Sequence, residues 1–268
     1  MPLTKTNDIE TYYEIEGEGH PLLLISGLNC DHEILWQKVK TALVEDHQVI
    51  TYAPRGVAPS STPTTPYTME MMADDAAALL TNLGISSAHV LGYSMGGMVA
   101  QALAIYHQDK VDNLVLAATT AKINALNRIV CEGCKKLLNS GFPREEASAV
   151  MLPWLFSNTF LTTLLEGKLS SPMPKLQPIM PQSVHGLIYQ LDALAAFDRR
   201  ESLGNISMPT LIITGEKDLL MPVEDAQELQ NLIPDSRLVA IPHAGHLLIH
   251  EKPDLFLQMV SAFMKSTL

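Results

Sequence analysis

The sequence predicts an α/β fold: a mostly parallel sheet flanked by helices, with a helical cap inserted after the sixth strand. Three observations predict it. Short β-rich runs alternate with helical patterns along most of the 268 residues, the signature of βα units. A composition of 47% hydrophobic and 18% charged residues supplies a core and excludes a largely disordered chain. Composition also shifts in the middle of the chain. Residues 121–200 carry nine Lys/Arg and six Asp/Glu, against nine and 23 elsewhere, and hold six prolines, four of them within 171–181. Residues 1–120 and 201–268 are therefore expected to form the core domain, and 121–200 a cap.

In chain order, residues 11–16 form an early strand closed by the turn Gly17-Glu18-Gly19. Residues 21–26 (PLLLIS) are a short apolar run of the buried-strand type. Residues 32–44 are expected to be a helix, with Ile34, Leu35, Val39 and Leu43 near helical spacing. A strand at 48–53 leads into a Pro/Gly/Ser/Thr-rich loop, and a helix at 69–83 stops at Gly84. Residues 88–93 read as a strand and 95–107 as a helix. Strands at 113–118, 210–214 and 237–241 and helices at 223–232 and 253–264 complete the frame.

The formal net charge of −11 excludes binding to nucleic acid through a basic surface. No apolar run reaches the roughly 20 residues of a membrane span, and the N-terminal residues lack a secretory apolar core. Three cysteines are too few for a disulfide framework. Cys131 and Cys134 have no second pair with which to hold zinc and read as cap-helix residues. A cytoplasmic monomer or homodimer is expected, with neither cofactor nor metal.

The chemistry concentrates at Gly92-Tyr93-Ser94-Met95-Gly96, a G-x-S-x-G between a strand and a helix. Such a turn forces its serine to φ > 0 and crowds its flanks, so the flanking positions must be glycine. It lifts the hydroxyl clear of the sheet and aims the helix N-terminus at an anion forming beside it. A serine hydroxyl needs a base, and the base needs an orienting acid. His246, in His243-Ala244-Gly245-His246 after the last strand, is preferred over His243. His250 carries little weight, and His20, His47, His107 and His185 read as surface or capping residues. Asp218, just past the strand at 210–214, is preferred as the acid over Glu216 and Asp225, because open sheets assemble their sites at strand carboxyl ends. The backbone N–H of Met95 and of Leu28, in Ser26-Gly27-Leu28-Asn29, would hold a tetrahedral oxyanion, each donor worth roughly 3–4 kcal/mol. Gly27 lets the backbone turn into the pocket.

With these residues in place the chain resembles the α/β-hydrolase superfamily. Within it the likeness is to small capped hydrolases: 3-oxoadipate enol-lactonases, carboxylesterases and cofactor-free haloperoxidases. The stretches YYEIEGEGHPLLLISG, AHVLGYSMGGMVAQALA, FDRRESLGNISMPTLIITGEKDLLMP and IPHAGHLLIHEKPDLF carry it. The resemblance implies a serine hydrolase of a small ester or lactone, with Ser94 as nucleophile, Asp218 as acid and His246 as base. It also implies that the cap covers the site, with Trp154, Phe156 and Phe160 as candidate acyl-pocket residues. Carbon–carbon bond hydrolysis, perhydrolysis and a non-catalytic receptor that keeps the fold are the alternatives. Two departures stand out. Ser26 replaces the usual histidine before Gly27, and Ala53 and Ala58 replace the usual Asp and second Gly of the loop after the fourth strand.

Overall fold

The computed structural model describes residues 2–30, 32–142, 151, 153–169 and 183–266. Its centre is an eight-stranded sheet of order β1-β2-β4-β3-β5-β6-β7-β8. The strands are β1 (Leu3–Thr6), β2 (Ile9–Glu16), β3 (His20–Ile25), β4 (His47–Tyr52), β5 (Ala88–Tyr93), β6 (Val111–Ala117), β7 (Thr210–Gly215) and β8 (Ser236–Ile241). β1 and β2 pair antiparallel, as do β2 and β4, and every pairing from β4 through β8 is parallel. The fold class expected from the alternation is the one found.

Side-chain alternation along the strands divides the core. In β3, Leu23 and Ile25 join one apolar cluster while Leu22 and Leu24 join the other, as a period of two requires. The first cluster is closed by α2 (Met69–Asn82) and α3 (Met95–Tyr106), α2 burying Met72, Ala73, Ala76, Leu79 and Leu80 against it. Thr68 starts α2 by accepting a hydrogen bond from the Met71 N–H. The second cluster contains Leu43 of α1 (Lys40–Val44) together with Phe256, Val260 and Phe263 of a C-terminal helix, Pro253–Ser266.

Between β6 and β7 lie α4 (Ala125–Asn139), α5 (Asn158–Leu165) and α6 (Val184–Ala195). Asn124, Ser157 and Ser183 cap their N-termini through side-chain oxygens. After β7 come α7 (Val223–Leu232), then α8 (Leu248–Glu251) and α9 (Pro253–Ser266). The proline-rich stretch 171–181 lies outside the described residues. Cys131 is buried in α4, and burial pushes its thiol pKa up to about 12, so it stays a neutral packing group.

Two elements differ from the expectation. β1 was not foreseen; its four residues are too few for a pattern, and pairing with β2 creates it. The helix expected over 32–44 is a chain of turns, with regular helix only at Lys40–Val44. Ile34, Leu35 and Trp36 are all buried, and the Trp36 Nε1–H donates to Ser26 Oγ at 2.9 Å. Burial of three consecutive side chains is not a one-sided helical stripe, and the tertiary contacts override the spacing.

The loop after β4 is held by the side chains of Arg55 and Ser60. Arg55 is buried and binds both carboxylate oxygens of Asp75, at 2.6 and 2.9 Å, a bidentate arrangement. Ser60 Oγ donates to the Ala53 carbonyl at 2.6 Å and accepts from the Tyr12 N–H at 2.8 Å.

Candidate active site

Ser94 joins β5 to α3 with φ +56° and ψ −122°, a strained conformation for a residue bearing a Cβ, costing about 1–3 kcal/mol. The glycines around it are sterically required. A Cβ on Gly96 would stand 2.1 Å from the Ile25 carbonyl oxygen, and one on Gly92 would stand 2.4 Å from that of Gly96. The Ser94 N–H donates to the Ala117 carbonyl at 2.8 Å, fixing the turn to β6.

His246 and Asp218 converge on this serine from the ends of β8 and β7. His246 Nε2 lies 2.9 Å from Ser94 Oγ, and His246 Nδ1 lies 2.8 Å from Asp218 Oδ2. Both His246 and Asp218 are almost wholly buried, so the pair is shielded from water while Ser94 is half-exposed. The other carboxylate oxygen, Asp218 Oδ1, accepts from the N–H groups of Leu220 and Met221, each at 2.9 Å. These bonds lock the carboxylate plane, which orients the imidazole in turn. The arrangement can pass a proton from the hydroxyl to Nε2 while Nδ1–H stays bound to the acid.

The alternatives weighed from sequence fall elsewhere. His243 is exposed, with its N–H 3.3 Å from Glu216 Oε2. Asp225 lies in α7 and accepts from Asn124 Nδ2 at 2.9 Å. His250 is buried, and burial together with Lys38 drives its pKa down to about 4. His47 is not a surface residue: it is buried at the start of β4.

Gly27 sits against the serine; a Cβ there would lie 3.3 Å from Ser94 Cβ. In the following loop the Asn29 N–H donates to Gln190 Oε1 at 2.8 Å and the Cys30 N–H to the Gly27 carbonyl at 3.3 Å. Those bonds fix the loop around the Leu28 amide. Met95 is the first residue of α3, where the helix supplies its N–H with no acceptor. Both amides thus belong to backbone adjoining Ser94.

Of the aromatic candidates, Trp154 is half-buried against the α2/α3 side of the core. Phe156 is buried on the opposite side, where it stacks on Phe160 with centroids 4.7 Å apart and an interplanar angle of 11°. The chain here is joined to the histidine loop. The Leu247 N–H donates to the Leu155 carbonyl at 2.8 Å. Glu251 accepts from the Ser157 N–H at 2.8 Å, the Ser157 hydroxyl at 2.6 Å and the Gly245 N–H at 3.1 Å. Burial raises the Glu251 pKa, against the effect of these bonds.

Three supporting residues were missed from sequence. The Tyr93 hydroxyl donates to the His246 carbonyl at 2.6 Å. Gln190, fully buried in α6, bridges Asn29 to the Arg55 carbonyl, to which its Nε2 donates at 2.9 Å. Glu251 is the third. Tyr93 lies inside the motif and could have been suspected; Gln190 and Glu251 carry no local signal.

Comparison with known proteins places this geometry in context. The sequence pattern described as alpha/beta hydrolase fold matches residues 20–253. A protein of Azorhizobium caulinodans provisionally named carbamate hydrolase RutD is 29% identical, covering 98% of each chain. 3-Oxoadipate enol-lactonase 2 of Acinetobacter baylyi is 31% identical over 96% of this chain and 94% of its own. The solved structure of a thermophilic esterase from Thermogutta terrifontis superposes with a TM-score of 0.84 at 29% identity, covering 99% of this chain and 97% of that one.

Proposed function

Because the chain belongs to the α/β-hydrolase fold family and is a hydrolase of ester-type bonds, we propose that it cleaves a small carboxylic ester or enol-lactone through an acyl-enzyme on Ser94. One observation carries the reading: the unbroken hydrogen-bond line from Ser94 Oγ through His246 to Asp218, with links of 2.9 and 2.8 Å.

Ser94 Oγ attacks the carbonyl carbon while His246 Nε2 takes the hydroxyl proton. The carbonyl oxygen becomes an oxyanion and accepts from the Met95 and Leu28 N–H groups. The imidazolium, held by Asp218, then gives its proton to the departing alkoxide or enolate oxygen, and the acyl group remains on Ser94. Water attacks the acyl carbon by the same route and restores the serine. The relatives named above are an enol-lactonase, an esterase and a protein named for carbamate hydrolysis, and a carbonyl centre bearing a heteroatom leaving group is common to all three.

A fluorophosphonate probe and an activated ester test this together. The expected result is one covalent label on Ser94, a burst of released alcohol, and loss of both in Ser94→Ala with kcat down at least about 10³-fold. Labelling at another residue, or a Ser94→Ala enzyme within tenfold of the parent, overturns the assignment.

A further inference from the structure

At the end of the sheet opposite Ser94, four adjacent strands bring histidines and carboxamide to one face. Register pairs His47 of β4 with His20 of β3, Leu22 of β3 with His89 of β5, and His89 with Asn113 of β6. Because alternate residues share a face, His47, His20, His89 and Asn113 stand in a row across the strand starts. Asp112 reaches into the row, its Oδ2 2.8 Å from His20 Nε2. The rings of His20 and His89 are 4.3 Å apart, and those of His47 and His89 are 5.9 Å apart. One donor atom each from His20, His89 and Asp112 lie within 4.8 Å of one another.

A packing role does not account for how these groups are left. His89 is 1% exposed, and its Nδ1 is 3.1 Å from the Asn113 amide. Its Nε2 is buried with no hydrogen-bond partner among the described residues, and so is Nδ1 of the 5%-exposed His47. Buried imidazole nitrogens left unpaired are costly. His20 and Asp112 are each about a third exposed, at 35% and 33%, which leaves an entry path from solvent.

We propose that His20, His89 and Asp112 form a binding site for one divalent transition-metal ion of the zinc class, with His47 beside it. Imidazole nitrogens and a carboxylate are the donor set such ions prefer. A tetrahedral site with metal–ligand bonds near 2.1 Å separates its donors by about 3.4 Å, so small side-chain rotations close the cluster. With the Asn113 carboxamide turned over so that its Oδ1 accepts from His89 Nδ1–H, the pair becomes the outer hydrogen bond that orients a metal-binding histidine and frees Nε2 for the ion. The ion would clasp the starts of β3, β5 and β6 and take no part in the chemistry at Ser94. The cluster escapes a search along the chain because its members are separated by β-strands and helices.

The test uses chelator-treated full-length protein, zinc chloride in calorimetry, and cobalt(II) as a spectroscopic probe. The expected result is one zinc per chain with a Kd of roughly 10 µM or tighter, visible bands of low-symmetry cobalt, and a Tm rise of roughly 5–10 °C at a hundredfold excess over Kd. His89→Gln and Asp112→Asn should each weaken binding at least about tenfold while ester hydrolysis persists. Asp112 is partly exposed, so its variant keeps the test open if His89→Gln fails to fold. His246→Ala controls for metal captured at the catalytic histidine and should bind zinc like the parent. No uptake by the parent, binding unchanged in the variants of the cluster, or binding lost only in His246→Ala overturns the proposal.

Discussion

Gln190→Ala is the most informative substitution near the candidate site, because this side chain hydrogen-bonds to Asn29 and Arg55 and so holds the loop that carries the Leu28 amide. Its Oε1 accepts from the Asn29 N–H at 2.8 Å, and its Nε2 donates to the Arg55 carbonyl at 2.9 Å. The residue is fully buried, so truncation strands one backbone donor and one backbone acceptor. Each stranded group costs about 1–3 kcal/mol, giving a stability loss of about 2–6 kcal/mol. Losing an oxyanion donor outright costs roughly 10²–10³ in kcat. A loosened Leu28 amide is a partial loss, and a kcat reduction of about 10- to 100-fold with KM within threefold is expected. Gln190→Glu keeps an acceptor for Asn29 but loses the donor to Arg55, and should recover part of the rate. Urea denaturation gives the stability change, and steady-state hydrolysis of an activated ester gives kcat and KM. A Gln190→Ala protein that melts with the parent and turns over at the parent rate would show that the loop holds its shape alone.

Three further outcomes are expected. Asp218→Asn should lower kcat about 10⁴-fold while the protein stays folded, since the amide cannot hold the imidazole in its productive tautomer; pre-steady-state acylation rates measure this directly. Gly96→Ala should destabilise the fold by at least about 3 kcal/mol and abolish fluorophosphonate labelling, because its Cβ would meet the Ile25 and Ser26 carbonyl oxygens at 2.1 and 2.5 Å; a soluble, labelled variant would contradict the clash. His250 has a folded pKa lowered to about 4 by burial and Lys38, against about 6.5 for a free histidine. On acidification the unfolded chain binds that proton first, so the contribution of His250 is complete above pH 6.5 and is lost as pH falls toward 4. The loss should reach about 2 kcal/mol by pH 5, and His250→Gln should remove that slope from urea midpoints measured between pH 7.5 and 5.

The candidate site was readable from sequence wherever backbone geometry dictates residue type. Ser94 announces itself because a positive φ and two crowded flanks tolerate only small neighbours, and those constraints sit within five residues. Asp218 and His246 follow from their places just past β7 and β8, where a parallel sheet gathers its carboxyl ends. Phe156 shows where such reading stops: its stack on Phe160 depends on how a distant segment packs, which no local pattern encodes. Residues 32–39 mislead for a related reason, since Trp36 turns inward to reach Ser26 and local spacing cannot register that bond. Gln190 is invisible because its two partners lie 161 and 135 residues away.

Glu251 has a consequence for engineering substrate preference. Its carboxylate grips Ser157 on one side and the Gly245 amide on the other, so the segment leading into α5 is tied to the loop that carries His246. Grafting a new cover from another hydrolase without a matching serine would free that carboxylate and disturb the imidazole's seat. Such chimaeras would lose turnover on every substrate alike, a defect easily mistaken for a poorly shaped pocket, and transplanting residues 157 and 251 as a unit should cure it.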